Sequence, residues 1–354
     1  MYSLQDLGWG PFFQNQISGP PTSLFPARVA GQSHGIYRLL SARGDLSASI
    51  TGKLAHGAVH SADLPVVGDW VLARLADPAQ AVIENVLERR TKLSRIAPGE
   101  RTEEQVLAAN VDVVFLVTSL TREFNPRRIE RYLIQIWESG ARPVIVLNKT
   151  DLVQSPDDFA RRAEEISLAD VLLTSAATGS GIERLRARLG AGETAVFVGS
   201  SGVGKSSIIN RLLGDAVQTV RAVRAGDDRG RHATASREML LLPAGGVIID
   251  TPGLRELQLL ADPSALGQTF PDVDRFAAGC TFRDCKHVSE PGCAVKAAVE
   301  DGSLDGARLR AYHKLQRELD YAERRTDRSA QLAEKRKWKQ IQKDYRRRYR
   351  ERGG

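Results

Sequence analysis

The stretch TAVFVGSSGVGKSSIINRLL, residues 194–213, decides the fold. An apolar run, a glycine-rich turn and a helix-forming segment follow one another, which is typical of a strand, a phosphate-binding loop and a helix. In this pattern, G-x-x-x-x-G-K-[S/T], glycines let backbone N–H groups point at phosphate oxygens, and the helix N-terminus adds its positive dipole end. We expect Lys205 to reach the β- and γ-phosphates and Ser206 to ligate Mg²⁺. The predicted phosphate loop comprises Gly199, Ser200, Ser201, Gly202, Val203, Gly204, Lys205, Ser206 and Ser207.

A second motif, NKTD at residues 148–151, precedes this loop in the chain. The Asp151 carboxylate can accept hydrogen bonds from both N1–H and the 2-amino group of guanine, a pairing that adenine does not offer. Asn148 is expected to brace the loop, and the stem of Lys149 can lie over the purine face. The segment SAA, which begins with Ser175 and Ala176, would present a backbone N–H to guanine O6.

A third motif, DTPG at residues 250–253, follows the apolar run GVIID. Asp250 can hold Mg²⁺ through water, and the Gly253 N–H can sense a γ-phosphate. The short pattern is weak alone and gains weight from its position after a strand and downstream of the phosphate loop. The three motifs together predict a GTP site with bound Mg²⁺.

The order of the motifs is reversed, because the guanine motif usually follows the phosphate loop. A site built from loops at the carboxyl edge of a parallel sheet depends on where the strands lie, not on where the chain begins. We therefore predict a circularly permuted GTPase domain. In this order the DTPG loop leads directly into the next module, which GTP hydrolysis could then move.

The pattern of apolar stretches and predicted secondary structure divides the chain into several parts. Short apolar stretches separated by Gly, Pro, Asp and His predict a small five-stranded β-barrel, and periodicity alone does not separate an OB barrel from another small barrel. Strands that alternate with helical stretches then predict a parallel sheet with helices on both faces. The predicted parts are an N-terminal arm, left as a leader or loosely docked segment (1–26), the OB-type barrel (27–98), the α/β GTPase domain (99–262), a small α-helical zinc-binding domain (263–325) and a basic tail (326–354).

All three cysteines lie near one histidine, in the pattern C-x4-C-x-H-x5-C. Three thiolates and an imidazole make a closed tetrahedral set for one structural Zn²⁺, with no open position for catalysis. The odd number of cysteines argues against a disulfide framework. The predicted ligands are Cys280, Cys285, His287 and Cys293.

The net charge of +7 is concentrated at the end of the chain. Between Lys335 and Arg352 ten Lys or Arg stand against Asp344 and Glu351, so the remainder is close to neutral. Such a segment favours nucleic acid as a partner, with a merely solvated helix end as the alternative. The start of the chain lacks a secretory pattern and the apolar runs are too short to span a bilayer, so we expect a cytoplasmic protein without a membrane partner.

Permuted GTPase motifs followed by CTFRDCKHVSEPGCAV, residues 280–295, resemble the ribosome small-subunit-dependent GTPase A family. The resemblance extends from about residue 27 to about residue 320. It implies an OB barrel, a permuted GTPase domain and a C-terminal zinc domain. It also implies a GTPase that binds the small ribosomal subunit and its 16S rRNA late in assembly and is strongly stimulated by that subunit. We expect the protein to be a monomer.

The family's switch segment usually reads close to G-R-H-T-T-T, whereas this chain has GRHATAS at residues 230–236. Of the threonines only Thr234 remains, and we expect it to ligate Mg²⁺ near the γ-phosphate, with an exposed loop threonine as the alternative. Ala233 and Ala235 depart from the pattern.

Leu254 stands where many signalling GTPases place a glutamine that orients the attacking water. A leucine cannot hydrogen-bond to water, so the orienting group must come from His232, as the resemblance implies, or from the ribosome. A structural role for His232 is equally open. Slow hydrolysis without ribosomes is the expected consequence.

Two functional classes remain open at this stage. One is an enzyme whose GTP hydrolysis times its release from RNA. The other is a GTP-regulated RNA-binding factor in which hydrolysis is incidental. A translation factor or a tRNA-modifying GTPase is disfavoured by the permuted motif order and the predicted zinc site.

Overall fold

The computed structural model describes residues 2–17, 23–96, 104–121, 123–214, 237–250 and 265–320. The barrel contains five strands: β1 (Phe25–Ser33), β2 (Ile36–Ser41), β3 (Gly44–Ile50), β4 (Trp70–Asp77) and β5 (Gln80–Val86). They pair in the closed order β1-β2-β3-β5-β4-β1, with β3 and β5 parallel and the other pairs antiparallel. The prediction of a closed five-stranded barrel is confirmed.

Alternating side chains explain why these stretches form a barrel. In β3 the buried residues Leu46 and Ala48 alternate with partly or fully exposed neighbours, as expected for a strand with one face on a core. Residues of all five strands meet in one apolar cluster that includes Val29, Leu39 and Ile83. The short helix α2 (Gly52–Gly57) lies between β3 and β4 and is capped by the Thr51 side chain, which accepts from the Leu54 N–H.

Residues 2–17, which include helix α1 (Pro11–Gln14), pack against the barrel. Leu7 and Phe13 are buried, and the rings of Trp9 and Trp70 lie 4.7 Å apart. The buried guanidinium of Arg28 donates to the carbonyl of Leu7, and burial lowers the Arg28 pKa to about 10. Because the apolar residues of this arm follow no period, the sequence alone predicts only a leader or a loosely docked segment here.

A separate hairpin of β6 (Lys92–Ile96) and β7 (Glu104–Ala109) joins the barrel to the α/β region. The predicted boundary at residue 98 falls between these two paired strands. The Ala109 N–H donates to the carbonyl of Val67 in the barrel region, and the Lys92 N–H donates to that of Ser139 in the α/β region. The hairpin therefore belongs to both neighbours.

The α/β region is built on six strands in the order β10-β9-β8-β11-β13-β12. All neighbours are parallel except β12, which runs antiparallel to β13 and also pairs with β1 of the barrel at Gly31 and Glu238. The strands are β8 (Val113–Ser119), β9 (Arg142–Asn148), β10 (Asp170–Leu173), β11 (Thr194–Val198), β12 (Glu238–Leu241) and β13 (Val247–Asp250).

Both faces of this sheet are covered. All seven residues of β8 are buried, and successive residues such as Val114 and Phe115 belong to two different apolar clusters. Buried, near-continuous apolar strands are what a parallel sheet with two covered faces requires. The helices of this region are α3 (Pro126–Glu138), α4 (Pro156–Glu164), α5 (Ile182–Arg186) and α6 (205–214).

The C-terminal module contains α7 (Ala265–Thr269), α8 (Pro271–Ala277), α9 (Ala294–Glu300) and α10 (306–320). Its apolar cluster also contains Ile134 of α3, which is fully buried. The module therefore completes its core with a helix of the α/β region. No helix within the described ranges has the length and apolarity needed to cross a bilayer.

Candidate nucleotide site and metal cluster

The predicted nucleotide motifs follow the carboxyl ends of neighbouring strands. NKTD begins at the last residue of β9, the SAA segment follows β10, the phosphate loop follows β11, and Asp250 ends β13. Because these strands are parallel, their carboxyl ends meet at one edge of the sheet. The spatial strand order β10-β9-β8-β11-β13 therefore brings the motifs together even though they follow one another in reversed order along the chain.

Asn148 links three of these loops. Its amide nitrogen donates to the carbonyl of Val203 at 2.8 Å, while its amide oxygen accepts from the Ala176 N–H at 3.1 Å and from the Thr174 hydroxyl at 3.2 Å. The side chain is buried, so each of these bonds would be costly to lose. The guanine motif and the phosphate loop are therefore held against each other before any nucleotide contact is considered.

Two glycines of the phosphate loop are required by their surroundings. Gly204 has a φ of +103°, and a Cβ there would lie 2.2 Å from the Asn148 amide nitrogen. Gly199 has a φ of +137°, and its Cβ would lie 2.1 Å from the carbonyl oxygen of Val117 on β8. Gly202, with a φ of +80°, has open space around its Cβ position. The loop can pass this close to Asn148 and β8 only without side chains.

The two parts of the predicted guanine pocket contact each other directly. The Ser175 hydroxyl donates to Oδ1 of Asp151 at 2.5 Å and accepts from the Thr178 N–H at 3.2 Å. Asp151 is exposed, whereas Ser175 and Ala176 are buried. Lys149, with a left-handed φ of +66°, turns the chain between Asn148 and Asp151. The Asp151 carboxylate is thus oriented by a fixed donor while remaining accessible.

The lysine of the phosphate loop folds over the loop itself. The Lys205 ammonium donates to the carbonyls of Gly199 at 2.6 Å and Ser200 at 2.7 Å. Helix α6 begins at this residue, and Ser206 and Ser207 are exposed in its first turn. The positive end of the helix dipole, the ammonium and these hydroxyls therefore gather at one place, which suits an anion.

Two arginines contact the predicted loops, and no sequence motif pointed to either. Arg211 of α6 donates to the carbonyls of Ala176 at 3.0 Å and Ala177 at 2.7 Å. Arg128 of α3 donates to the Ser200 hydroxyl at 2.8 Å and to Glu123 at 2.7 Å. Long side chains that reach between helices and loops leave no spacing pattern in a sequence.

Some predicted residues lie outside the described ranges. These are His232, Thr234 and Gly253, together with Leu254. Asp250, the last residue of β13, is described and ends at the same sheet edge as the phosphate loop.

The three cysteines and His287 form one cluster, whose possible ligand atoms all lie within 4.8 Å of one another. The Cys280 sulfur lies 3.6 Å from His287 Nδ1 and 4.0 Å from the Cys293 sulfur, which is itself 3.5 Å from Nδ1. A tetrahedral zinc site with ordinary bond lengths has edges of about 3.4–3.8 Å. The two edges at His287 Nδ1 match these values and the longer ones would have to shorten, so the donor set suits zinc after a small contraction.

The local structure presents the His287 ring to the cysteines. His287 has a left-handed φ of +59°, and the Glu290 carboxylate accepts from the N–H groups of Lys286 and Val288 on either side of it. Burial, with a contribution from nearby His313, lowers the pKa of His287. A neutral imidazole is the form that ligates a metal, so this shift favours ligation.

The chain is similar to known proteins over nearly its whole length. Residues 86–260 match the model of the RsgA GTPase family. The small ribosomal subunit biogenesis GTPase RsgA of Opitutus terrae is 48% identical over 96% of this chain and 96% of that protein. The protein of the same name from Syntrophotalea carbinolica is 44% identical over 99% of both chains.

Two solved structures share the architecture. The crystal structure of YjeQ from Thermotoga maritima has 29% identity and a TM-score of 0.64, over 84% of this chain and 98% of that one. The crystal structure of YloQ, described as a circularly permuted GTPase, has 27% identity and a TM-score of 0.61, over 84% of this chain and 95% of that one. The sequence and structural matches agree with the permuted order of the nucleotide motifs along the chain. The chain belongs to the RsgA GTPase family.

Proposed function

We propose that this chain hydrolyses GTP to GDP and phosphate in the biogenesis of the small ribosomal subunit, which it binds in part through 16S rRNA. Family membership supports both the GTPase activity and the role in subunit biogenesis, because the relatives of this chain are named small ribosomal subunit biogenesis GTPases. The observation that carries the site is Asn148, whose side chain bonds to the phosphate loop and to the SAA segment at once.

In this proposal the phosphate loop holds the triphosphate. Backbone N–H groups between Gly199 and Ser207 bind its oxygens, and Lys205 exchanges its loop carbonyl partners for the β- and γ-phosphates. Mg²⁺ would be held by Ser206 and Thr234, with Asp250 acting through water, and would neutralise charge on the phosphates. Gly253 would sense the γ-phosphate.

Guanine recognition is assigned to the neighbouring loops. Asp151 would accept from N1–H and the 2-amino group, a backbone N–H of the SAA segment would face O6, and the Lys149 stem would cover the base. Ser175 orients the Asp151 carboxylate, and Asn148 holds the SAA segment through the Ala176 N–H. Adenine has no N–H groups at the two matching positions, so it would leave Asp151 without its base donors and is disfavoured.

Hydrolysis needs a group that orients water, and Leu254 cannot supply it. We assign that role to His232, with a ribosomal group as the alternative, and expect slow turnover by the isolated protein. The Cys/His cluster is assigned to one structural Zn²⁺, supported by its donor set and edge lengths. We further propose a monomeric, cytoplasmic protein whose basic tail contacts RNA.

Steady-state GTP turnover with and without purified small subunits tests this proposal, using the wild type and Lys205→Ala. We expect strong stimulation of the wild type and a loss of about 100-fold or more in the variant. Arg161→Ala is the matched control, because Arg161 is an exposed residue of α4 whose ion pair with Asp158 lies within the same helix. Turnover that ignores the subunits would favour the alternative of an RNA-binding factor with incidental hydrolysis.

A further inference from the structure

Helix α3 contacts both the phosphate loop and the C-terminal module. Arg128, in its first turn, donates to the Ser200 hydroxyl of the loop at 2.8 Å. Arg127, one residue earlier, donates to the carbonyl of Ala307 in the module at 2.8 Å. One turn of helix thus contacts both the phosphate loop and the module, which the chain otherwise joins through residues 208–264.

The contact between α3 and the module is centred on Arg308 of α10. Its guanidinium bonds to Glu130 of α3 at 2.5 Å and to both carboxylate oxygens of Asp272 on α8, at 2.8 and 3.1 Å. It also donates to the carbonyls of Thr269 and Ile166 and lies 4.3 Å above the Phe270 ring. Both Arg308 and Glu130 are nearly fully buried.

Buried pairs of this kind resist small adjustments. Moving α3 away from Arg308 would leave the buried Glu130 carboxylate without its compensating charge in a low-dielectric setting, which is costly. Arg131 and Glu318 add a second, more exposed ion pair along the same helix contact at 2.9 Å, and Ile134 of α3 lies in the apolar core of the module. The module and α3 should therefore move together as one body.

The contact between α3 and the loop is different in character. Arg128 is partly exposed and bonds to one hydroxyl of the loop and to Glu123. Such a contact can be made or broken at small cost when the loop binds a phosphate chain. A stiff anchor at the module and an adjustable contact at the loop are the two properties that a transmitting element needs.

We propose that α3 transmits the nucleotide state of the phosphate loop to the Cys/His module, with Arg128 as the positioning residue at the loop and Glu130–Arg308 as the anchor at the module. This inference rests on the proposed function for the nature of the nucleotide. It assigns to a packed helix a coupling that the sequence suggested only for the covalent connection through residues 251–264.

The test is hydrogen–deuterium exchange of the full-length, zinc-loaded protein, saturated with GDP or with a non-hydrolysable GTP analogue. In the wild type we expect exchange in α10 and α9 to differ between the two nucleotides. Arg128→Ala and Arg128→Met, which keeps the apolar stem but removes the donor, should each abolish that difference while nucleotide remains bound. Arg128→Lys keeps a donor without the guanidinium fork and should restore part of it. Arg161→Ala should behave as the wild type.

A kinetic readout separates coupling from a general structural role. If coupling is lost, stimulation of kcat by small subunits should fall about 5- to 150-fold while the KM for GTP changes little. Undiminished nucleotide dependence of α10 exchange in nucleotide-bound Arg128→Ala or Arg128→Met would overturn the proposal. Absence of that dependence from the wild type would also overturn it. If Arg128→Ala does not bind nucleotide, Arg128→Met decides. Absence of GTP turnover in the wild type would instead refute the proposed function.

Discussion

The nucleotide site and the metal cluster are built in opposite ways. The nucleotide motifs are scattered between residues 148 and 253, yet buried sheet strands bring the described ones to one edge. The predicted metal ligands lie within fourteen consecutive residues, but short helices and turns surround them. Distance along the chain therefore says little about how firmly a site is held.

The difference lies in what fixes each set of side chains. Asn148 is buried and makes three hydrogen bonds to neighbouring loops, so the nucleotide site has its own internal support. Around the cluster, α8 and α9 have seven residues each, and Cys280 and Cys285 are only partly buried. We infer that the scaffold holds the first site and that a bound metal must hold the second.

The largest expected effect is on the cluster. Cys293→Ser, or removal of metal with a chelator, should unfold the module locally, because structural zinc contributes about 10–16 kcal/mol in small metal-dependent domains. Proteolysis and metal analysis would show cleavage within residues 265–320 together with loss of metal. Ser289→Ala, in the same turn, is the control. If the module resists protease without metal, the inference that a bound metal must hold this cluster is wrong.

Next in size is a change to the phosphate loop. Gly204→Ala would place a methyl group against the Asn148 amide at a positive φ, at a cost of about 2–5 kcal/mol. Because the clash lies between two loops of the site, we expect most of that cost to appear as lost GDP affinity in calorimetry. Gly202→Ala also has a positive φ but open space, so it should lose much less. Equal losses in both would show that Asn148 does not fix the loop.

A smaller effect is expected at the guanine pocket. Asp151→Asn removes a charged acceptor and should weaken GDP binding by about 1.5–3 kcal/mol with little change in thermal stability. Its exposed neighbour Asp157 on α4 provides the control Asp157→Asn. Unchanged GDP affinity in Asp151→Asn would remove Asp151 from the site.

The smallest effect should come from Arg211→Ala. It frees the carbonyls of Ala176 and Ala177 and should cost about 1 kcal/mol in GDP affinity through a looser SAA segment. Exchange of that segment should rise, whereas Arg184→Ala on α5 should change neither quantity. A rise in exchange without any loss of affinity would show that the segment does not touch the base.

Features set by strict local demands could be predicted from the sequence. The phosphate loop needs glycines at fixed positions, and the metal cluster needs ligands at short spacings. Short apolar stretches between turn residues predict the barrel, and strands that alternate with helices predict the parallel sheet. The fold class and the family resemblance predicted in this way are confirmed. The binding and catalytic roles of the individual site residues stay predictions, and His232, Thr234 and Gly253 in addition lie outside the described ranges.

Features set by packing between distant segments could not be predicted. Arg128, Arg211 and Arg308 each bond through a long side chain to a partner between 34 and 178 positions away. The parallel pairing of β3 with β5, which distinguishes this barrel from a simple meander, also depends on closure in space. Residues 2–17 also show no hydrophobic periodicity from which the burial of Leu7 and Phe13 could be predicted.

The central claim is that a permuted chain forms one guanine-specific nucleotide site. Calorimetric titration of the full-length protein with GDP and with ADP, each with Mg²⁺, tests it most directly. A preference for GDP of about 100-fold or more, reduced in Asp151→Asn, is the result we predict. Equal affinities for GDP and ADP would contradict the account.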